Sequence, residues 1–161
     1  MKIRLATPAD VDAANEIYSS AREFMRKAGN PYQWGTSYPG REDIVSGIED
    51  GTSFVCESDG EIVATFYFKI GQDPTYNEIF DGKWQNDEPY AAIHRIAVKY
   101  HGQGIVDFCF AECFSLFPNL KIDTHEDNIP MQRCLARCGF VHCGTIYTWN
   151  GEPRKAYQKV N

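Results

Sequence analysis

The strongest constraint lies near the middle of the chain. An apolar run from Tyr90 to Val98 enters Lys99-Tyr100-His101-Gly102-Gln103-Gly104 and continues as a helical pattern to about Phe117. A strand that passes through a glycine turn into a helix aims orphan N–H groups and the positive end of the helix dipole at one point, which suits an anion. The helical stretch carries only Asp107, Glu112 and Ser115 as strongly polar residues, so it must be largely buried against a sheet. A chain with this centre reads as an α/β protein. Gly102-Gln103-Gly104 alone is weak evidence for phosphate. Asp107 stands where a dinucleotide fold needs its third glycine, and no Gly-Lys-Ser or Gly-Lys-Thr follows to make a Walker loop.

The flanking sequence supplies the rest of the sheet. Ile3 to Ala6 reads as an opening strand, and Thr7-Pro8-Ala9-Asp10 then offers a capping hydroxyl, a helix-compatible proline and an acidic residue in order. Val11, Ala14, Ile17, Tyr18, Ala21 and Met25 recur at helical spacing as far as Gly29, and a second helix covers about Arg41 to Asp50. Ser53 to Ser58 and Glu61 to Ile70 flank Asp59-Gly60, the signature of a type I′ hairpin; Phe140 to Trp149 and Glu152 to Lys159 flank Asn150-Gly151, read the same way. Lys121 to His125 is a further strand, and Asn128 with Pro130 opens a short helix that Gly139 closes. Gly71 to Pro89, with Tyr76, Phe80 and Trp84, shows no period, and a loop of that length is functional or locally structured.

Composition narrows the function classes. A length of 161 residues with 43% hydrophobic and 14% aromatic residues predicts one globular domain over residues 1–161. A formal charge of -6 with no basic run argues against nucleic acid, and no apolar stretch reaches the roughly 18 residues of a membrane span. Met1-Lys2-Ile3-Arg4 meets Asp10 and Asp12 before any signal-type core, so a cytoplasmic protein is the default expectation. The cysteines at 56, 109, 113, 134, 138 and 143 read as reduced, small buried hydrophobes. Their i,i+4 pairs lack the spacing of common zinc sites, and no metal is expected.

Taken in order, these elements resemble the GNAT superfamily, whose pyrophosphate motif reads Arg/Gln-x-x-Gly-x-Gly/Ala at the end of the fourth strand. Here it is Lys99-Tyr100-His101-Gly102-Gln103-Gly104 after Ile96-Ala97-Val98, with a conservative change at the first position. Ile122-Asp123-Thr124-His125, Asn128 and Leu135 through Gly139-Phe140 resemble the family's fifth strand, fourth helix and Gly-Phe exit. The resemblance implies a GNAT-like acyl-CoA N-acyltransferase fold: a mixed, mostly antiparallel sheet of about seven strands with about four helices, splayed between strands 4 and 5. It also implies acetyl-CoA as co-substrate and an amine of a small molecule or peptide as acceptor. Ile96, Ala97 and Val98 would then line the pantetheine arm, and His101, Gly102, Gln103, Gly104, Ile105 and Val106 the pyrophosphate. Asn128 would contact the cofactor from the fourth helix, and the Val98 N–H would polarise the thioester carbonyl. Monomer and homodimer both remain open.

An alkyl ammonium must lose a proton before it attacks, so a base is required, and an acid can serve the departing thiolate. Many family members use a tyrosine as that acid; Leu135 occupies its position here. Cys134 adjoins it as a substitute. His94 is the preferred base, sharing side-chain parity with Ile96 and Val98 unless a bulge intervenes, and His125 at the end of the fifth strand is a second candidate. Family resemblance also puts acceptor choice in the segment between the first two helices, where Tyr32, Trp34 and Tyr38 offer an aromatic wall. Trp84, Tyr90, Tyr147 and Trp149 are weaker additions to it. Two rival readings stand beside the enzyme: a GNAT-like module that binds acyl-CoA without turnover, suggested by Leu135, and an unrelated α/β protein whose glycine turn is structural.

Overall fold

In the computed structural model, which describes residues 1–161, Asp59 and Gly60 both take positive φ, 52° and 80°. That is the backbone a type I′ turn demands. The hairpin they close, β2 (Ser53–Ser58) and β3 (Glu61–Ile70), begins a sheet that continues through β4 (Ala91–Val98), β5 (Asn119–Thr124), β6 (Val141–Tyr147) and β7 (Pro153–Val160). With β1 (Lys2–Leu5) the seven strands lie in the order β1-β2-β3-β4-β5-β7-β6, and only β4 and β5 run parallel.

Four helices cover the two faces: α1 (Val11–Lys27), α2 (Arg41–Asp50), α3 (Ile105–Leu116) and α4 (Ile129–Arg137). The α1 entry is fixed by Asp10, whose Oδ2 accepts from the Thr7 N–H at 2.8 Å while Arg4 donates to both of its oxygens at 2.7 and 3.0 Å. Val11, Ala14, Ile17, Tyr18 and Ala21 form the buried stripe of α1, which meets Ile44 of α2 and Ala97 of β4 on one face of the sheet. On the other face Phe110 and Leu135, from α3 and α4, pack with Phe66, Ile93, Val98 and Leu120. All six cysteines are unpaired, and five of them are buried. No helix is long and apolar enough to cross a membrane.

One expectation needs correction. The last hairpin is not a two-residue type I′ turn: Thr148 N–H donates to Glu152 at 2.9 Å and Gly151 N–H to Thr148 at 2.9 Å, leaving the three residues Trp149, Asn150 and Gly151 in the loop. Only Gly151 has positive φ, 77°, as a type I turn followed by a left-handed residue requires. Gly71 to Pro89, expected to be functional or locally structured, is locally structured. Asp73 caps a short 3₁₀ turn at Pro74–Tyr76, and Phe80 and Thr145 exchange N–H to O bonds of 2.8 Å.

That segment closes a third small core, in which Tyr76 and Tyr90 pack with Ala92 and Ile146. Beside it lies the buried Lys121 on β5, its Nζ 4.1 Å from the Trp84 ring centroid and 4.0 Å from that of Tyr90. Burial pushes its ammonium down to about 8 against the opposing charge of Asp87. The unfolded chain therefore holds the extra proton between about pH 8 and the ordinary lysine value near 10.4, and stability owed to this side chain rises with pH through that window. In urea melts at about pH 7 and pH 10, the stability difference between wild type and Lys121→Met moves in favour of wild type at the higher pH. An unchanged difference would disprove the charged, caged lysine.

Candidate active site

The parallel pair β4–β5 is joined only at Ala91↔Leu120 and Ala92↔Lys121, and beyond Ala92 the two strands part. Lys99 N–H bonds Val63 of β3 at 2.8 Å, and hydrogen-bonding edges alternate along an antiparallel ladder. The Val98 N–H therefore points away from β3, into the parting. There the turn before α3 places Gly102 and Gly104 at φ +73, and a Cβ at either would meet nothing within 4 Å. These glycines serve a left-handed backbone and an open face of N–H groups, not internal packing.

A cavity of about 350 Å³ runs along this parting. All ten residues that the motif assigned to a cofactor line it: Ile96, Ala97, Val98, His101, Gly102, Gln103, Gly104, Ile105, Val106 and Asn128. His101 is held by stacking on Phe24 of α1, centroids 4.0 Å apart. Asn128 is partly committed elsewhere, its Oδ1 accepting from Met131 N–H at 3.2 Å and its Nδ2 donating to Gln33 at 3.0 Å. One amide hydrogen of that side chain stays unclaimed. Asn30, which sequence reasoning passed over, also lines this cavity, and its buried Oδ1 has no hydrogen-bond partner.

A second cavity, about 640 Å³, shares Met25, Ile96, Asn128 and Met131 with the first. Its floor depends on a β-bulge. Thr65 faces Ala97 but Tyr67 faces His94, so two residues of β4 oppose one of β3, and Arg95 takes φ +57. The parity expected for His94 is thereby broken. Ile93, Ile96 and Val98 enter the core beneath α3, while His94 and Arg95 both line the second cavity.

Within that cavity His94 stands between two carboxylates. Its Nε2 lies 2.6 Å from Asp73 Oδ2, and its Nδ1 lies 3.6 Å from Asp123 Oδ1, which accepts from the Tyr76 hydroxyl at 2.6 Å. Donation from Nε2–H to Asp73 leaves Nδ1 with a free lone pair toward Asp123. Burial would raise the Asp73 carboxyl, but His94 and the two hydrogen bonds from Thr75 outweigh it and hold the group at about 2. Tyr76 moves well upward, first through its burial and then through the Asp123 charge.

The other candidates separate. His125 lines neither cavity; its Nδ1 accepts from the Asp127 N–H at 3.0 Å, so it closes the turn before α4. Cys134 lines the first cavity, but burial pushes its thiol up to about 12, above a thiol in water near 8.5. Its proton would not pass to a thiolate of ordinary basicity. With Cys138 and Asp107 it forms a group within 4.8 Å, in which Arg137 claims both Asp107 oxygens at 2.7 and 3.0 Å. Leu135 is fully buried.

Tyr32, Trp34 and Tyr38 all line the second cavity, Trp34 also meeting Tyr18 edge-on at 5.7 Å. Of the weaker aromatic candidates only Trp149 does; Trp84 and Tyr90 flank Lys121, and Tyr147 packs on Phe80 at 5.3 Å. Asp73 had escaped the sequence reading, and Tyr76 was noted only as an aromatic of the loop, because both lie in an aperiodic segment. The Asp73-Pro74-Thr75 run did carry a cap signal.

A model of the acetyltransferase (GNAT) family matches residues 14–140. Among solved structures the chain is similar to a GNAT-family acetyltransferase of Streptococcus agalactiae, with 32% identity, a TM-score of 0.91 and coverage of 99% of this chain and 95% of that one. Its fold is also that of a GNAT-family acetyltransferase of Listeria monocytogenes (TM-score 0.71, 20% identity, 98% and 93% covered). The Salmonella typhimurium protein yncA, solved with its cofactor acetyl-CoA, shares the fold too (TM-score 0.65, 14% identity, 99% and 94% covered). No curated protein matches the chain.

Proposed function

The chain belongs to the GNAT family of acetyltransferases, and we propose that it moves an acetyl group from acetyl-CoA to the amine of a small molecule or peptide by direct attack in a ternary complex. The observation that carries this reading is the junction of the two cavities at the β4–β5 parting, with His94 in the second of them. Acetyl-CoA supplies the activated acetyl group. The backbone of Ala97 and Val98 and the glycine turn at 102–104 hold it, and yncA, which shares the fold, was solved with acetyl-CoA as its cofactor.

Asp123 receives the acceptor ammonium, and Nδ1 of His94 takes the proton before the nitrogen attacks the thioester carbon. Asp73, ionised across the working pH range, orients the ring and steadies the imidazolium that results. The Val98 N–H stabilises charge on the carbonyl oxygen. The thiolate leaves without a protein acid, consistent with an apolar Leu135 and a thiol at Cys134 that holds its proton. The ammonium proton passes from His94 to solvent; the second N–H proton, made acidic once the nitrogen is bonded to the carbonyl carbon, leaves by the same route, and the thiolate takes one proton back from solvent, so that one proton is released in all.

Thiol release from acetyl-CoA across a broad amine panel tests the reading: stabilisation by CoA with no release for any amine would leave only a binding module. His94→Ala lowers kcat by about 100-fold or more and removes the fall in rate toward low pH, because the base must be neutral to act. A variant keeping the wild-type profile would assign the proton to a water chain. Gly104→Asp sets a carboxylate against the pyrophosphate, where like charges about 4 Å apart repel by several kcal/mol, so CoA binding weakens roughly tenfold or more. Gly104→Ala, the control, carries the same backbone strain without the charge, and equal losses in both would move the pyrophosphate away from this turn.

A further inference from the structure

We propose that the acceptor is a free amino acid, its amine held at His94 and Asp123 and its carboxylate bound by Arg95; this specification rests on the acetyl-transfer reading above. Arg95 is largely buried, 13% exposed at its side chain, and lines the acceptor cavity. Its guanidinium lies 5.2 Å over the Tyr67 ring, whose other neighbour is His94 at 5.4 Å. The closest carboxylate, Asp43 Oδ1, is 4.0 Å away, and the second oxygen of Asp43 is committed to the Gly40 N–H at the start of α2. The Nε of Arg95 is buried with no hydrogen-bond partner at all.

With only the Tyr38 hydroxyl and the distant Asp43 beside it, a planar cation with five donors is left short of acceptors at the wall of a pocket, and a carboxylate matches its fork. The neighbouring cation, Arg154, is different: it is already engaged by Glu152 at 3.1 Å, Pro153 at 2.9 Å and Gln33 at 3.4 Å. Backbone geometry points the same way. Consecutive residues of a regular strand face opposite sides, but the bulge turns His94 and Arg95 into one cavity at the cost of a left-handed φ of 57°. The site thus sets an anion-binding group beside the base and its two carboxylates, which is the charge pattern of an amine that carries its own carboxylate.

Thiol release from acetyl-CoA is measured for the common α-amino acids, each against its carboxamide and its α-aminophosphonate. Binding of the N-acetyl amino acids and N-acetyl amino acid amides is measured by calorimetry with CoA present. Wild type favours the acid over the amide by about 10- to 100-fold in kcat/KM, as one charge-assisted hydrogen-bonded pair would give, and over the phosphonate. In Arg95→Met the acid falls to the level of the amide, chiefly through KM, and Arg95→Lys recovers part of the difference. Equal use of acid and amide by wild type, a preference for phosphonate, or an acid preference intact in Arg95→Met overturns the assignment while acetyl transfer stands. Thiol release from no amine, with acid-selective binding of the N-acetyl forms, overturns acetyl transfer and keeps the anion site. The wild-type pair comparison needs no variant to fold.

Discussion

The parting of β4 from β5 beyond Ala92 governs everything functional in this molecule. A parallel pair normally satisfies its backbone along its whole length, and a strand that loses its neighbour exposes N–H and C=O groups that must be met otherwise. Here the widening gap is flanked by Met25 of α1 and by Asn128 and Met131 at the head of α4, so the freed edge of β4 lies in a cleft instead of on the surface. Gln33 keeps the flanks in place, its Oε1 accepting from Asn30 at 2.9 Å and from Asn128 at 3.0 Å. That carboxamide joins the irregular segment after α1 to the cap of α4.

In the second cavity the controlling quantity is charge in a partly buried space. His94 stands between Asp73 and Asp123, its Nε2–H on the first and its Nδ1 toward the second, and its bond to Asp73 helps to hold that carboxyl low against burial. Tyr76 completes the arrangement by donating to Asp123, which limits how far that carboxylate can swing toward the ring. The same residue anchors the third core, so the electrostatics around His94 and the packing beneath it are joined through one side chain.

Much of this was legible in the sequence where the physics is local. Asp59-Gly60 declares its turn because both residues tolerate positive φ, and the stripe from Val11 to Ala21 declares a helix because burial follows its period. The glycine turn was readable for the same reason. Asn150-Gly151 misled because the closing pair, Thr148 with Glu152, sets the loop length, and a dipeptide does not reveal it. The bulge at Arg95 was not legible at all: nothing in Ile93-His94-Arg95-Ile96 marks a residue that will turn left-handed, so side-chain parity failed at the one position where it decided the surroundings of His94. Asp73 could be reached only through tertiary structure, since its partner His94 lies 21 residues away.

The bridge between Phe80 and Thr145 has a consequence beyond the shape of its loop. β6 is the outermost strand on its side of the sheet, and Thr145 spends both its N–H and its C=O on Phe80 across the free edge. A naked edge would be a template for another chain's strand, the first step of edge-to-edge aggregation. By occupying that ladder midway along β6, the aperiodic segment that carries Asp73 also acts as a guard against such self-association. Remodelling it to alter the acceptor site therefore puts the colloidal behaviour of the protein at stake along with its chemistry.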